Sequence, residues 1–422
     1  MKASVCVPFF ASFLFSLSAF SAPSASDVNA IFEIPIFGDS SLWEENTDDV
    51  GKRLQWPLES ETSYGNSYRL YPKQEIKVLG TRPFSLALYG EGGHPESISM
   101  VFANKGDVAT MVMGEVDFSA SEARKKQQMQ RAMRDYGKFI RADKDTIAKR
   151  LTELLGGPVS DRLGETSQTR ERVSRWDWNG SSILLAAPRD EYVAVRIVST
   201  KSLESAGTAR IKNAEMQEIL AKRIEKRPNG DVILKDVPMV DQGPKGYCVP
   251  ATWERALRYM GIPADMYVLA MAGGTDVGGG TSTKALAASA DALVRSGGRR
   301  SVVQRSKVDV RSVAKAINEG KPIMWTMYSM DEINERLKHR MKQRETTTDW
   351  EGWAKSLDSY RKTARKLKID KDRGHVCMII GYNKDTDEVA VSDSWGSAFA
   401  ERWMTVEEAE AVSQGEFYII EI

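Results

Sequence analysis

Four side chains in this sequence are of the types that carry thiol acyl-transfer chemistry: Gln242, Cys248, His375 and Asp393. In such chemistry a thiolate attacks a carbonyl and an imidazole moves the proton. A carboxylate fixes the imidazole tautomer, and an amide donor holds the oxyanion. Cys248 closes a glycine-rich stretch, residues 241–247, and opens an amphipathic pattern with Val249, Trp253, Leu257 and Met260 at helical spacing, stopped by Gly261. Pro250 suits the first turn, where a missing N–H costs nothing. At a helix start, unpaired N–H groups favour a thiolate. The same position also suits a buried cysteine that only fills space, so the helix alone leaves both readings open.

The C-terminal part supplies the partners. Residues 374–382 read as a strand apolar on both faces, hence central. Residues 383–385 form a polar turn, and residues 388–393 the return strand. A hairpin centred on Lys384 pairs residues equidistant from it, so His375 and Asp393 should face each other with Cβ atoms about 5 Å apart. A one-residue slip would break that pairing. Cys377, two residues beyond His375, should point to the same side and serve as a small buried hydrophobe.

Gln242, Cys248 six positions later, a histidine opening a hydrophobic strand, and Asp393-Ser394-Trp395-Gly396 together resemble the papain-like cysteine peptidases, over residues 231–422. Three departures look more like the bacterial branch of bacteriocin-leader (double-glycine) peptidases. Papain's asparagine is replaced by Asp393, its tryptophan after the nucleophile by Val249, and no cysteine precedes Cys248 in its loop. The resemblance implies a helix carrying the cysteine, packed on an antiparallel sheet carrying the histidine and aspartate. It also implies Cys248 as nucleophile, His375 as general base and then acid, and Asp393 as its orienter. The Gln242 amide and the Cys248 N–H would form the oxyanion hole, and Trp395 would cover the His375–Asp393 pair. Two other functions fit the same residues: a thiol acyltransferase or amidase of the transglutaminase kind, and a non-catalytic peptide-binding module.

The rest of the 422-residue chain must position these groups. Residues 1–21 read as a secretory signal: Lys2, an apolar run over residues 5–20, and cleavage after Ser21. An exported protein (periplasmic or extracellular) without stable membrane insertion is expected. Net charge is +1, giving no field for nucleic acid; the expected partner is a peptide or protein substrate. Cys6 leaves with the signal, so Cys248 and Cys377 remain and no disulfide scaffold is expected. No cysteine or histidine pair has metal-ligand spacing, so neither metal nor cofactor is expected.

The fold class expected is α+β. A separate N-terminal α+β domain spans residues 22–230 and the papain-like domain residues 231–422. In the first, residues 84–89 and 97–102 read as a hairpin, 119–155 as a long polar helix, and 172–178, 182–187 and 191–198 as three strands. The charged residues 221–230 read as the junction. Lying directly upstream of the nucleophile loop, the first domain is expected to inhibit modestly. Residues 273–282 read as a flexible glycine-rich cleft wall. Residues 330–372 read as a helical insertion, either a lid or a solvated hairpin.

Overall fold

The computed structural model describes residues 22–73, 76–107, 121–188, 191–205, 210–276 and 280–422. The expected signal, residues 1–21, and part of the glycine-rich loop, residues 277–279, lie outside the described residues. The fold is α+β with two antiparallel sheets. Among the described residues, no helix is long and apolar enough to cross a membrane.

The first sheet follows the helices α1 (Ala25–Phe32) and α2 (Thr47–Leu54). Its strands are β1 (Leu58–Glu61), β2 (Asn66–Leu70), β3 (Ser85–Glu91), β4 (His94–Asn104), β5 (Val159–Leu163), β6 (Glu171–Trp178), β7 (Ser181–Ala186) and β8 (Tyr192–Ser199). Their order is β1-β2-β3-β4-β8-β7-β6-β5, so two meanders meet at the β4–β8 pair. Between β4 and β5 runs α3 (Glu122–Leu155). Its first turns are polar and largely exposed. Farther along, Tyr136, Ile140, Ile147 and Leu151, at helical spacing, bury against Phe102, Ile183 and Val195.

After the short α4 (Thr200–Glu204), α5 (Asn213–Lys222) already belongs to the second core, where Met216 and Leu220 pack with Trp253 and Leu257. The residues read as a junction contain β9 (Ile224–Lys226), which pairs with β10 (Asp231–Leu234). Arg223 is buried between the rings of Tyr64 and Tyr259. Next come α6 (Cys248–Tyr259), α7 (Met266–Ala272), α8 (Thr283–Ser296), β11 (Arg300–Arg305), α9 (Val310–Ile317) and β12 (Ile323–Tyr328). The insertion forms α10 (Asp331–Arg344), α11 (Trp350–Ser356) and α12 (Asp358–Ala364). The chain then runs through β13 (Gly374–Asn383), β14 (Glu388–Ser392), β15 (Arg402–Thr405), α13 (Val406–Val412) and β16 (Ser413–Glu421). The sheet order is β11-β16-β12-β13-β10-β9, with β14 also on β13 and β15 on β14.

The central strand β13 is apolar on both faces because both are covered. Val376, Met378 and Ile380 pack under α6 and α8, while Cys377 and Ile379 pack against α9 and α10. The insertion is not a loose, solvated hairpin. Fully buried ion pairs dock it on this second layer, Arg340 on Glu408 (2.7 Å) and Arg344 on Asp231 (2.7 Å). Trp353 also donates to Glu388 (3.0 Å).

The two sheets share a core. Val101, Leu184 and Tyr192 of the first pack on Val240, Tyr247, Ala251 and Tyr267 of the second unit. A buried polar chain crosses the same boundary. Arg69, paired with Glu59, donates to the Tyr89 hydroxyl (2.7 Å), and Tyr89 donates to Glu254 of α6 (3.1 Å). Tyr89 and Glu59 each have a partner in the other unit, Glu254 and the Asp241 N–H, which makes parting the two costly.

Candidate active site

Cys248 is the first residue of α6, and Tyr247 at its N-cap places no side chain on the free N–H groups. The helix is fastened to the strands it faces. Thr252 donates to the Val376 carbonyl (3.2 Å), and buried Arg255 donates to the Ser392 and Pro238 carbonyls (3.2 and 2.8 Å). These bonds fix Cys248 beside the start of β13, where His375 lies.

His375 Nε2 meets Asp393 Oδ1 at 2.6 Å, which leaves Nδ1 for the hydrogen bond with Cys248. The Trp395 ring stacks on the imidazole, with centroids 4.8 Å apart and planes 28° apart. Burial opposes ionisation of the Cys248 thiol. The hydrogen bond and charge of His375, with backbone hydrogen bonds from Val376 and Val249, outweigh it and hold the thiol below its ordinary value. Burial would lower the imidazole, yet Asp393 and Cys248 raise it above the usual histidine range. Burial likewise opposes the Asp393 carboxylate, and His375 with Arg402 keeps it below its usual value. The arrangement favours a thiolate–imidazolium pair.

The hairpin register differs from the one expected. The turn is longer, and the pairs are Asn383↔Glu388, Tyr382↔Val389 and Gly381↔Ala390, then Ile379↔Val391 and Met378↔Ser392. Ile380 is therefore an extra residue in β13, a bulge. Continuing the last pairs places Asp393 opposite Cys377, one diagonal step from His375 and on the same face. Had the turn-side register continued without the bulge, Asp393 would stand opposite Met378, on the other face. The side chains meet as expected, through a diagonal instead of a direct pair. Close approach of β10 at Gly381 accompanies the bulge: a Cβ there would lie 2.7 Å from the Val232 carbonyl oxygen.

Gln242 is buried on the nucleophile loop. Its N–H donates to the Ser394 carbonyl (2.9 Å) and its amide nitrogen to the Lys245 carbonyl (2.8 Å). One amide hydrogen thus holds the loop. Gly280, at the end of the glycine-rich loop, lies against Gly246.

The loop is braced from the first unit. Glu59 accepts from the Asp241 N–H (2.7 Å), Tyr71 donates its hydroxyl to the Asp241 carbonyl, and Gly106 donates its N–H to Tyr247 (3.3 Å). Lys245 is buried, with Nζ 3.2 Å from Asp107 and 4.6 Å from the Tyr71 ring centre. Burial lowers the pKa of its ammonium, and Asp107 acts in the opposite sense.

Two residues around Asp393 escaped the sequence reading. Arg402 of β15 donates to Asp393 Oδ2, and its other terminal nitrogen to Asn334 of α10 (3.1 Å). An arginine opening the otherwise buried strand Arg402–Thr405 is a signal that a buried partner exists; Asn334 carries none. Both cysteines are free, Cys248 partly exposed and Cys377 fully buried with its thiol pushed well up by burial.

A search of curated proteins returned no match to this chain. Residues 234–419 match the Peptidase_C39 like family, which supports a domain of the papain-like cysteine peptidase type over this part of the chain.

Proposed function

We propose that the protein is an exported thiol peptidase that hydrolyses peptide bonds through Cys248, His375 and Asp393. The observation that carries this reading is the hydrogen-bonded series from Asp393 through His375 to a thiol at a helix N-terminus. The Cys248 thiolate attacks the scissile carbonyl carbon. The oxyanion forms next to the Cys248 N–H and the second hydrogen of the Gln242 amide, a stabilisation worth about 3–4 kcal/mol per donor. Imidazolium His375 protonates the leaving amine, and the acyl-enzyme remains. His375, now neutral, takes a proton from water, which attacks the thioester and releases the acid and Cys248. Asp393 holds one tautomer throughout, and Trp395 keeps water off its bond to His375. Export is supported by the signal-like residues 1–21.

The test is a thiol-directed activity probe followed by product analysis on a peptide library. Labelling at Cys248 with peptide hydrolysis is expected, and Cys248→Ala should lose at least about 10⁴-fold in rate with an unchanged Tm. Acyl transfer without net hydrolysis would point to the acyltransferase, and an unreactive Cys248 to a binding module.

A further inference from the structure

Asp393 carries a partner that an asparagine at this position would not need. Its Oδ1 is taken by His375 and its Oδ2 by Arg402, so the carboxylate is shared between an imidazole and a guanidinium. Arg402 is itself buried and stacked near Trp395 and Phe399, with ring centres 5.6 and 5.0 Å away. Asn334 accepts from its far side (3.1 Å). Asn334 stands on α10, which the Arg340–Glu408 and Arg344–Asp231 pairs fix to the sheet. The insertion therefore reaches the back of the site through one continuous series: α10, Asn334, Arg402, Asp393, His375.

We propose that Arg402, held by Asn334, is a positioning residue that offsets part of the charge of Asp393, so that the carboxylate orients His375 without holding its proton as firmly as an unpaired aspartate would. This rests on the thiol peptidase reading and adds to it a role for the insertion. The physical basis is local charge. Asp393 alone, buried against His375, would hold the imidazolium so firmly that giving up its proton to the leaving group becomes harder. Arg402 alone would expel the proton from the imidazolium. With Arg402 on Oδ2, Asp393 still raises the imidazole through Oδ1, less than an unpaired carboxylate would, and keeps the orienting hydrogen bond. The other ionisable groups facing Asp393 are few. From β13 come His375 and Cys377, and from α6 Cys248 and Arg255, whose guanidinium also senses the carboxylate. The α10 face turned toward Asp393 presents Ile333, Asn334 and Leu337, none of them charged. Asp241 of the nucleophile loop lies by Gly396 and accepts from the Gly243 N–H (2.8 Å).

The experiment measures the pH dependence of Cys248 alkylation and of kcat/KM in the full chain. Arg402→Met removes a positive charge, so both the thiol limb and the imidazole limb should move to higher pH, the latter by about one unit. Asp393→Asn removes a negative charge, and both limbs should move to lower pH by a similar amount. In the Asp393→Asn/Arg402→Met double variant the limbs should fall between those of the two single variants, with a rate above that of either. Asn334→Asp, at a half-exposed position that does not threaten folding, should draw Arg402 off Asp393 and shift the limbs in the same direction as Arg402→Met. A purely structural Arg402 predicts losses of rate and Tm that add in the double variant, with unmoved limbs. That outcome, or unmoved limbs in Asn334→Asp where Arg402→Met does not fold, overturns the proposal. An unreactive Cys248 in the wild type would instead overturn the peptidase reading itself.

Discussion

The loop that carries Gln242 and leads to Cys248 takes part of its support from outside its own sheet, whereas His375 and Asp393 are held from within it. Beside its own bonds at Gln242, Gly243 and Tyr247, the nucleophile loop is fastened by Glu59, Tyr71, Gly106 and Asp107 of the first unit. The histidine and aspartate sit on paired strands and are backed by Arg402 and the insertion helix. The first kind of support sets where the thiol and the oxyanion donors lie. The second kind sets how the proton is shared. The braces found bear on the loop's position, and the hydrogen bonds of Cys248 and His375 run to each other, to Asp393 and to backbone near them. These contacts suit a scaffold for the loop, and truncation separates that role from the modest inhibition expected from the place of the first unit in the chain.

The largest test of this contrast is truncation. A chain starting at residue 231 loses α5, β9 and the Glu59 and Asp107 braces, and exposes the apolar face around Tyr247 and Tyr267. It should show no cooperative thermal transition, or a kcat/KM at least about 100-fold below the full protein. Wild-type or raised activity on a short peptide would favour the inhibitory reading. A gentler test is Lys245→Met with Asp107→Asn, which removes both members of a buried pair and leaves no lone charge. The expected result is a kcat lower by about 10-fold, with both pH limbs unmoved. A shift of the limbs would mean that the loop also sets the protonation of the pair, and the division of labour would fail.

Acid should loosen the strand half through its support. Burial opposes the Glu408 carboxylate, but Arg340 and the Thr405 backbone hold its pKa below the usual range, and Arg344 acts likewise on Asp231. Groups with a depressed folded pKa stabilise above their unfolded value, near 4, and lose that contribution as pH falls through the folded one. Thermal melts between pH 7 and pH 3 should therefore show a smaller fall for Glu408→Gln/Arg340→Met than for the wild type. Equal slopes would remove Glu408 from the account. The smallest effect is expected from Cys377→Val, since Cys377 acts as a buried apolar side chain beside Met327 (3.6 Å). Activity should stay within about twofold, and native alkylation should modify Cys248 alone.

Much of this was legible in the sequence where periodicity and spacing carried it. The helix at Cys248, the central strand at His375 and the strands around residues 85–102 and 171–199 follow from apolar patterning that burial then satisfies. What escaped depends on partners far apart in the chain. Residues 221–230 look like a solvated junction because their charges are evident and their partners are not. Arg223 lies between two rings, and Arg227 pairs with Glu401 (2.7 Å). The bulge at Ile380 is marked locally only by the neighbouring Gly381, since isoleucine itself suits a regular strand equally well. Arg402 announced a buried charge but not its recipient.

The bulge also bears on how this part of the chain can change in length. Residues 375 and 393 share a face only because one extra residue in β13 restores the parity of the count between them. A single-residue insertion or deletion within either strand would turn one partner to the other layer, while a change at the exposed Lys384 and Asp385 of the turn leaves the parity of the ladder intact. Viable length variants inside the paired segments should therefore come in twos, or as a loss matched by a gain, whereas in the turn the limit is set by buried Thr386 and its bonds to Asn383 and Arg361.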